Sequence, residues 1–278
     1  MSNFNDYLQG DKLYGDDFTL PEIEQWYLQE SEAYADMYGT NLEHEAYEFG
    51  PLTDLYSYQY IAHIPSFNCV LGFGASWGYE LLPIIDKIEE LHIIDPSEQT
   101  ISHQLGGITP VYQKPAVSGK IPFEDNHFDL ITCFGVLHHI PNVSYVFSEL
   151  YRVLAPGGYL LIREPVRSMG DWRHPRPGVS RNERGIPHRL FEEMIQRAAP
   201  ASVVTNYCYV CRGFFRKLFG HKYVCGKSYL LLDKWLAKRL VSNIHYHPQT
   251  FREKLAPSIV FHVIRKPEIL KKSNSDNK

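Results

Sequence analysis

Three groups of residues in this sequence have types and spacings that can do chemistry. The first is VLGFGASWG at residues 70–78, a turn of the form G-x-G-x-x-x-G through Gly72, Gly74 and Gly78. Glycine reaches positive φ and lets a backbone pass close to a ligand, so such a turn after a strand suits a nucleotide-like group. Asp95 ends the run LHIID about twenty residues later, where a carboxylate can accept hydrogen bonds from ribose hydroxyls. Capping the N-terminus of a helix that begins with Pro96, Ser97 and Glu98 is its structural alternative. The second group is His138, His139 and Glu164, two imidazoles and a carboxylate able to take a proton from an acceptor. The third is a loop rich in Pro, Gly and Arg, with Trp172, Arg173, His174, Arg176, Arg181 and Arg184. Arginine forks bind carboxylate or phosphate and an indole stacks on a ring. A solvated loop paired with its own Asp171 and Glu183 is the plainer alternative.

These groups need elements to hold them. From residue 68, short runs rich in Val, Ile and Leu alternate with helical stretches. NCVLGF, LHIID, ITPVYQ, FDLITCF and GYLLIRE read as five strands. Helices are expected at 76–88, near 97–104 and at 142–154, where Val143, Val146, Phe147, Leu150 and Leu154 have helical spacing. Strands without alternation imply burial on both faces, hence a parallel sheet between helices. Right-handed crossovers then give a doubly wound α/β fold, whose ligands sit outside the carboxyl ends of the strands.

Ahead of this core, residues 1–64 read as a helical cover. Thr19 and Glu22 have capping-box spacing, Pro21 falls in the first turn, and Ile23, Trp26, Tyr27, Tyr34 and Met37 supply an apolar side. The core is expected over 65–210, ending with a helix near 187–199 and a strand near 201–210. A cap insertion should fill 211–256, a last core strand 257–267 (SIVFHVIRK), and a fraying tail 268–278.

Composition narrows the function classes. The 278 residues are 44% hydrophobic, enough for a full core, and no apolar run reaches a membrane span. The opening residues lack a secretory signal, and five cysteines do not make a disulfide scaffold, so a reducing cytoplasm is the expected location. Residues 1–50 hold twelve acids and one lysine, whereas 163–189 and 212–239 are basic. With a net charge of −4, nucleic acid is not an expected partner.

The run IPFEDNHFDLITCFGVLHHIPN, followed by ELYRVLAPGGYLLIREP, resembles the class I S-adenosylmethionine-dependent methyltransferases, in their small-molecule, type 11-like branch. Ile121, Pro122, Phe123, Phe128 and Asp129 match that family's LPFxDxxFD run. Arg152, Leu154, Pro156, Gly157 and Gly158 match its RxLKPGG block. The resemblance spans roughly residues 66–166 and returns in the final strand. It implies a mainly parallel seven-stranded sheet with its last strand antiparallel, and S-adenosylmethionine as cofactor. It also implies contacts from Gly72, Phe73, Gly74 and Ala75 to the methionine part, and from Asp95 to the ribose. Pro96 and Ser97 would lie near the adenine, where backbone groups of Pro115, Ala116 and Val117 are expected to serve in place of a missing Asp, and Phe134 and Gly135 beside the amino group. Two departures stand out. Val70 occupies the place of the family's loop carboxylate, and KPAVSGK offers no Asp ahead of the IPF run.

Methyl transfer is an in-line displacement in which the protein aligns the acceptor and removes its proton. Glu164, His138 and His139 are the candidate bases, and Trp172, Arg173, Arg176 and Arg184 the candidate acceptor contacts. The acceptor is expected to be a small molecule, anionic or sugar-like, methylated first at a hydroxyl oxygen of a sugar or related metabolite. Cys208 and Cys211, with His221 and Cys225 nearby, form a C-x-x-C. In a strand its two thiols would point to opposite faces, so no metal site is expected. An NAD(P)-dependent oxidoreductase is the rival enzyme class, disfavoured by the glycine spacing, and a non-catalytic cofactor-binding protein is the third reading.

Overall fold

Phe67–Phe73 forms strand β1, and its last four residues are buried, as an apolar run flanked on both sides must be. The computed structural model describes residues 4–37, 49–176 and 179–268. Its other strands are β2 (Ile88–Ile94), β3 (Val111–Gln113), β4 (Phe128–Phe134), β5 (Leu154–Pro165), β6 (Ser202–Cys208) and β7 (Ile259–Arg265). They make one seven-stranded sheet in the order β3-β2-β1-β4-β5-β7-β6. All pairings are parallel except those of β7, which runs antiparallel to both β5 and β6. The order reverses between β1 and β4, which opens a crevice at their carboxyl ends.

The described helices are α1 (Phe4–Gln9), α2 (Leu20–Met37), α3 (Gly50–Tyr56), α4 (Val143–Val153), α5 (His188–Arg197), α6 (Arg212–Phe219), α7 (His221–Val224), α8 (Lys227–Leu240) and α9 (Phe251–Lys254). On one face of the sheet, Val143, Val146, Phe147 and Leu150 of α4 join Phe191 and Ile195 of α5 against Leu71, Ile131 and Ile162. On the other, Tyr58, Ile61, Leu81 and Ile84 cover Val70, Leu91, Leu130 and Leu161. Full burial of each such side chain contributes about 1.5–3 kcal/mol. No helix among the described residues is long and apolar enough to cross a membrane.

Three local expectations are corrected. The segment expected to be a helix at 76–88 winds as 3₁₀ turns over Tyr79–Lys87, because Pro83 in its middle has no N–H to donate to an α-helical ladder. The helix near 97–104 shrinks to one 3₁₀ turn at Glu98–Thr100, capped by Ser97 Oγ, which accepts from Gln99 N at 3.2 Å. Cys211 stands beyond the end of β6 with φ +57°, so the C-x-x-C is not contained in a strand. The tail expected at 268–278 lies, past Glu268, outside the described residues, as do the side chains of Tyr34 and Met37.

Candidate functional site

The glycine turn leaves β1 at its carboxyl end. Gly74 has φ +68°, and a Cβ there would lie 2.5 Å from Val136 Cγ2, so the loops after β1 and β4 touch only because it is glycine. Gly74 N donates to Ile94 O at 2.7 Å, which ties the turn to the end of β2. Asp95 follows directly. Its Oδ2 accepts from Ser76 N at 2.9 Å, and its Oδ1 from Ser97 N at 3.0 Å and Thr100 Oγ1 at 3.3 Å. Burial pushes the Asp95 carboxyl up, and these three donors oppose that shift. A carboxylate offers about four lone-pair sites, so one remains for an outside donor.

Between these loops lies a cavity of about 520 Å³. Phe73, Gly74, Asp95, Pro96, Ser97, Ala116, Val117 and Gly135 line it, whereas Gly72, Ala75 and Phe134 stand behind its wall. Ile94, Pro115, Val117, Ile121 and Val146 make one side apolar, the setting a purine ring requires. Ser76 is also on the wall, and its Oγ is buried without a hydrogen-bond partner. Cavity size, apolar side and carboxylate together fit an adenosine-containing group.

Val70 is fully buried among apolar residues, so no carboxylate approaches from β1. A buried acid of the 3₁₀ segment reaches the sheet beside Gly72 without lining the cavity. Glu80 is buried, and its Oε1 accepts from Thr132 Oγ1 at 2.7 Å, where Thr132 pairs with Gly72 across β4 and β1. Burial pushes the Glu80 carboxyl up to about 7, against Thr132 and Arg163, which favour its charged form. The sequence reading missed it.

The proton-taking candidates separate into two roles. Glu164 is completely buried, with Oε1 accepting from Val136 N and Leu137 N at 2.8 Å each. Its Oε2 meets His138 N at 3.3 Å and His138 Nδ1 at 2.7 Å. Four polar groups converge on its two oxygens, so it pins the loop after β4 and has no free site for an acceptor's proton. His138 does not line the cavity. His139 does, together with Tyr27 and Glu30 of α2.

Glu30 is 1% exposed, yet its oxygens lie 3.3 Å from His139 Nδ1, 2.7 Å from Ser180 Oγ and 3.1 Å from Asn182 N. Burial raises its carboxyl, but the His139, Ser180 and Asn182 donors outweigh this and hold it below the usual range. Burial and the neighbouring His138 push the His139 imidazole below its usual value, opposed by Glu30. An ionised Glu30 can only accept, so His139 carries its proton on Nδ1. Glu30 was readable in principle, because it shares the buried stripe of Ile23 and Trp26 at i+7 and i+4, and an acid on such a stripe must have a partner. His138, His139 and Glu183 also each place one ligand atom within 4.8 Å of the others, a set able to hold a metal ion.

The arginine loop behaves differently from expectation. Arg184 is fully buried, and its guanidinium donates to the carbonyls of Tyr14, His138, Ile140 and Pro141 at 2.8–3.1 Å. Every direction of its fork is taken, so it clamps α2's approach and the post-β4 loop and is closed to an acceptor. Trp172, Arg173 and Arg176 line a separate cavity of about 730 Å³ with Tyr14, Trp26 and Arg181. Trp172 stacks on Tyr14 at 5.4 Å and donates to Ser168 O at 3.1 Å. Arg173 pairs with Asp171 at 2.6 Å, and Arg176 donates to the carbonyls of Met169, Ser180 and Arg181. These three hold their own loop. The two cavities lie against different faces of α2, with Tyr27 and Glu30 on one and Glu22, Gln25 and Gln29 on the other.

Known proteins resemble this chain in sequence and in fold. Residues 71–162 match the model of a methyltransferase domain family. A protein of Mycolicibacterium smegmatis described as a probable S-adenosylmethionine-dependent methyltransferase is 30% identical over 110 residues, 40% of this chain and 43% of its own length. The chain thus spans less than half of that curated relative. Among solved structures, a phosphoethanolamine N-methyltransferase of Haemonchus contortus in complex with S-adenosyl-L-methionine superposes with a TM-score of 0.54 at 16% identity, over 96% of this chain and 61% of that one. An S-adenosylmethionine-dependent methyltransferase from Archaeoglobus fulgidus gives 0.50 at 13% identity, over 77% of this chain and 93% of that one. At such identities the likeness shows the fold.

Proposed function

We propose that this chain, which carries a class I S-adenosylmethionine-dependent methyltransferase domain over residues 71–162, transfers a methyl group to a hydroxyl oxygen of a small molecule, a sugar or related metabolite. One observation carries the acceptor reading. His139, oriented through Nδ1 by the buried Glu30, lines the same cavity as Gly74 and Asp95. S-adenosylmethionine, when bound, supplies an electrophilic methyl group and its own leaving group.

The chain's residues then divide the remaining work. Asp95 would hold a ribose hydroxyl with its spare lone pair. Ala116, Val117, Ile121 and Val146 would supply the apolar side for the adenine. Gly135 N is held by Arg163 O at 2.7 Å, which fixes the loop after β4 against the cavity. His139 Nε2 takes the proton of the acceptor hydroxyl, and Glu30 stabilises the imidazolium that forms, a contribution of about 10²–10⁴-fold. Glu164 and Arg184 act by holding this loop in place. Proton removal is assigned to His139 without a metal.

Transfer of labelled methyl from S-adenosylmethionine to pools of polyols, phenols and amines tests the reading. Turnover on hydroxyl acceptors, unchanged by EDTA, supports it. Turnover confined to amines contradicts the hydroxyl assignment. Loss with EDTA, restored by a divalent ion, moves the chemistry to the His138, His139 and Glu183 set.

A further inference from the structure

We propose that the outward faces of α6 and α8 form a docking surface for an anionic lipid bilayer. Residues 211–240 hold eight lysines and arginines and a single acid, Asp233, in a chain whose net charge is −4. Asp233 is fully buried, its carboxylate accepting from Tyr209 N at 2.7 Å and Val210 N at 2.8 Å. The exposed surface of this segment therefore carries cations and no carboxylate.

Both helices separate their faces sharply. In α8, Tyr229, Leu230, Asp233 and Ala237 are buried. Lys227, Leu231, Trp235, Lys238 and Arg239 fall at i, i+4, i+8, i+11 and i+12, one stripe on the opposite side, and all five are exposed. Leu231 is 65% and Trp235 56% exposed. In α6, Phe215 turns inward against Tyr223 and Tyr229, while Phe214, Lys217 and Leu218 share the outward face, with Phe214 63% and Leu218 60% exposed. Among the described residues, Arg216, Lys217, Lys227, Lys238 and Arg239 form no ion pair; Arg239 lies 5.7 Å over the Trp235 ring.

Large apolar side chains left in water beside unpaired cations are the composition of a helix that lies in a membrane interface. The rings and leucines enter the acyl boundary, and the lysines and arginines meet lipid phosphates. A second copy of this face would bring like charges together, which disfavours self-association. The placement is also directional. β6 runs parallel to β5, since both are antiparallel to β7, so the chain enters α6 from the sheet edge that carries Gly74, Asp95 and His139. Docking turns that edge toward the bilayer.

Co-sedimentation with vesicles of phosphatidylcholine alone, and of phosphatidylcholine with 30% phosphatidylglycerol, tests the proposal. The full chain should partition at least about tenfold better onto the anionic vesicles, less so as salt rises. Phe214→Ser with Leu218→Ser, and separately Leu231→Ser with Trp235→Ser, should abolish this while S-adenosylhomocysteine binding and thermal midpoint stay unchanged. Lys227→Glu with Lys238→Glu should cut it more than about tenfold. Equal partition onto both vesicles, no partition at all, or anionic binding untouched by the serine variants would overturn the proposal. Capture on heparin without vesicle binding would reassign the surface to soluble polyanions and overturn it equally.

Discussion

Nδ1 of His139 lies 3.3 Å from Oε2 of Glu30, joining the loop after β4 to a helix 109 residues earlier in the chain. The pair places an oriented, uncharged imidazole on the cavity wall, and the first prediction tests it. His139→Gln should lower kcat by about 10²–10⁴-fold with S-adenosylhomocysteine affinity changed little. Because burial and His138 depress the His139 pKa, the rate should rise with pH through a midpoint below 6.5 and then level. Glu30→Gln removes the charge that favours imidazolium, so that midpoint should move lower still while the plateau rate falls.

Glu164 gives a second test, of position against chemistry. Glu164→Gln leaves a neutral amide where four donors converge, and buried groups left without partners cost about 1–3 kcal/mol. The variant should melt several degrees lower and lose cofactor affinity as the 136–138 loop loosens. A variant of unchanged stability with only kcat reduced would return Glu164 to the role of base.

Arg184→Met should behave as a folding defect. It strips the donors from the carbonyls of Tyr14, His138, Ile140 and Pro141, at a cost on the order of 3 kcal/mol in urea denaturation. Wild-type stability with a raised KM for the acceptor would show instead that the guanidinium is available to substrate.

His262 sets an acid limit. It is buried on β7 beside Thr205 Oγ1 at 3.1 Å and against Phe191, and burial, then His188, push its pKa down to about 3. The unfolded chain protonates this residue near 6.5 while the native chain does not, so stability falls as pH drops below 6.5, flattening only near 3. Between pH 6.5 and 5 this group alone accounts for roughly 2 kcal/mol. His262→Gln should make urea stability flatter over that window, and an unchanged slope would contradict the burial of a neutral imidazole.

Glu80 works in the opposite sense. A native carboxyl titrating at about 7 stays protonated while the unfolded one ionises near 4.5, so its contribution is lost as pH rises between them. Glu80→Gln should stabilise by roughly 2–3 kcal/mol at pH 8 relative to pH 4.5. Failure of the two pH values to differ would place an ionised Glu80 in the native state.

The fold was largely legible because its signals are local. FDLITCF is mostly apolar, interrupted only by Asp129 and Thr132, and forms β4 over those seven residues, and α4 lies within one residue of its expected span. Gly74, Asp95, Ala116 and Gly135 line one cavity and belong to motifs whose residues neighbour one another in sequence. What the sequence did not disclose depends on long-range pairing. Glu30 and His139 are partners only once α2 crosses the post-β4 loop, and Glu164 looks available until the amides of Val136 and Leu137 are seen to point at it. Arg184 is the same lesson reversed, an arginine in a loop that seems solvated until four carbonyls close around it. Pro83 is a local signal too, and its missing N–H decides the 3₁₀ winding of Tyr79–Lys87.

Calorimetric titration with S-adenosylhomocysteine tests the central claim most directly, using the wild-type chain and Ala116→Trp, an exposed position on the cavity wall whose indole would fill the adenine side. The account predicts saturable binding near one per chain, abolished by the variant while its thermal midpoint holds, and no heat with NAD or NADP. Binding of NAD in place of S-adenosylhomocysteine, or S-adenosylhomocysteine binding that Ala116→Trp leaves intact, would contradict it.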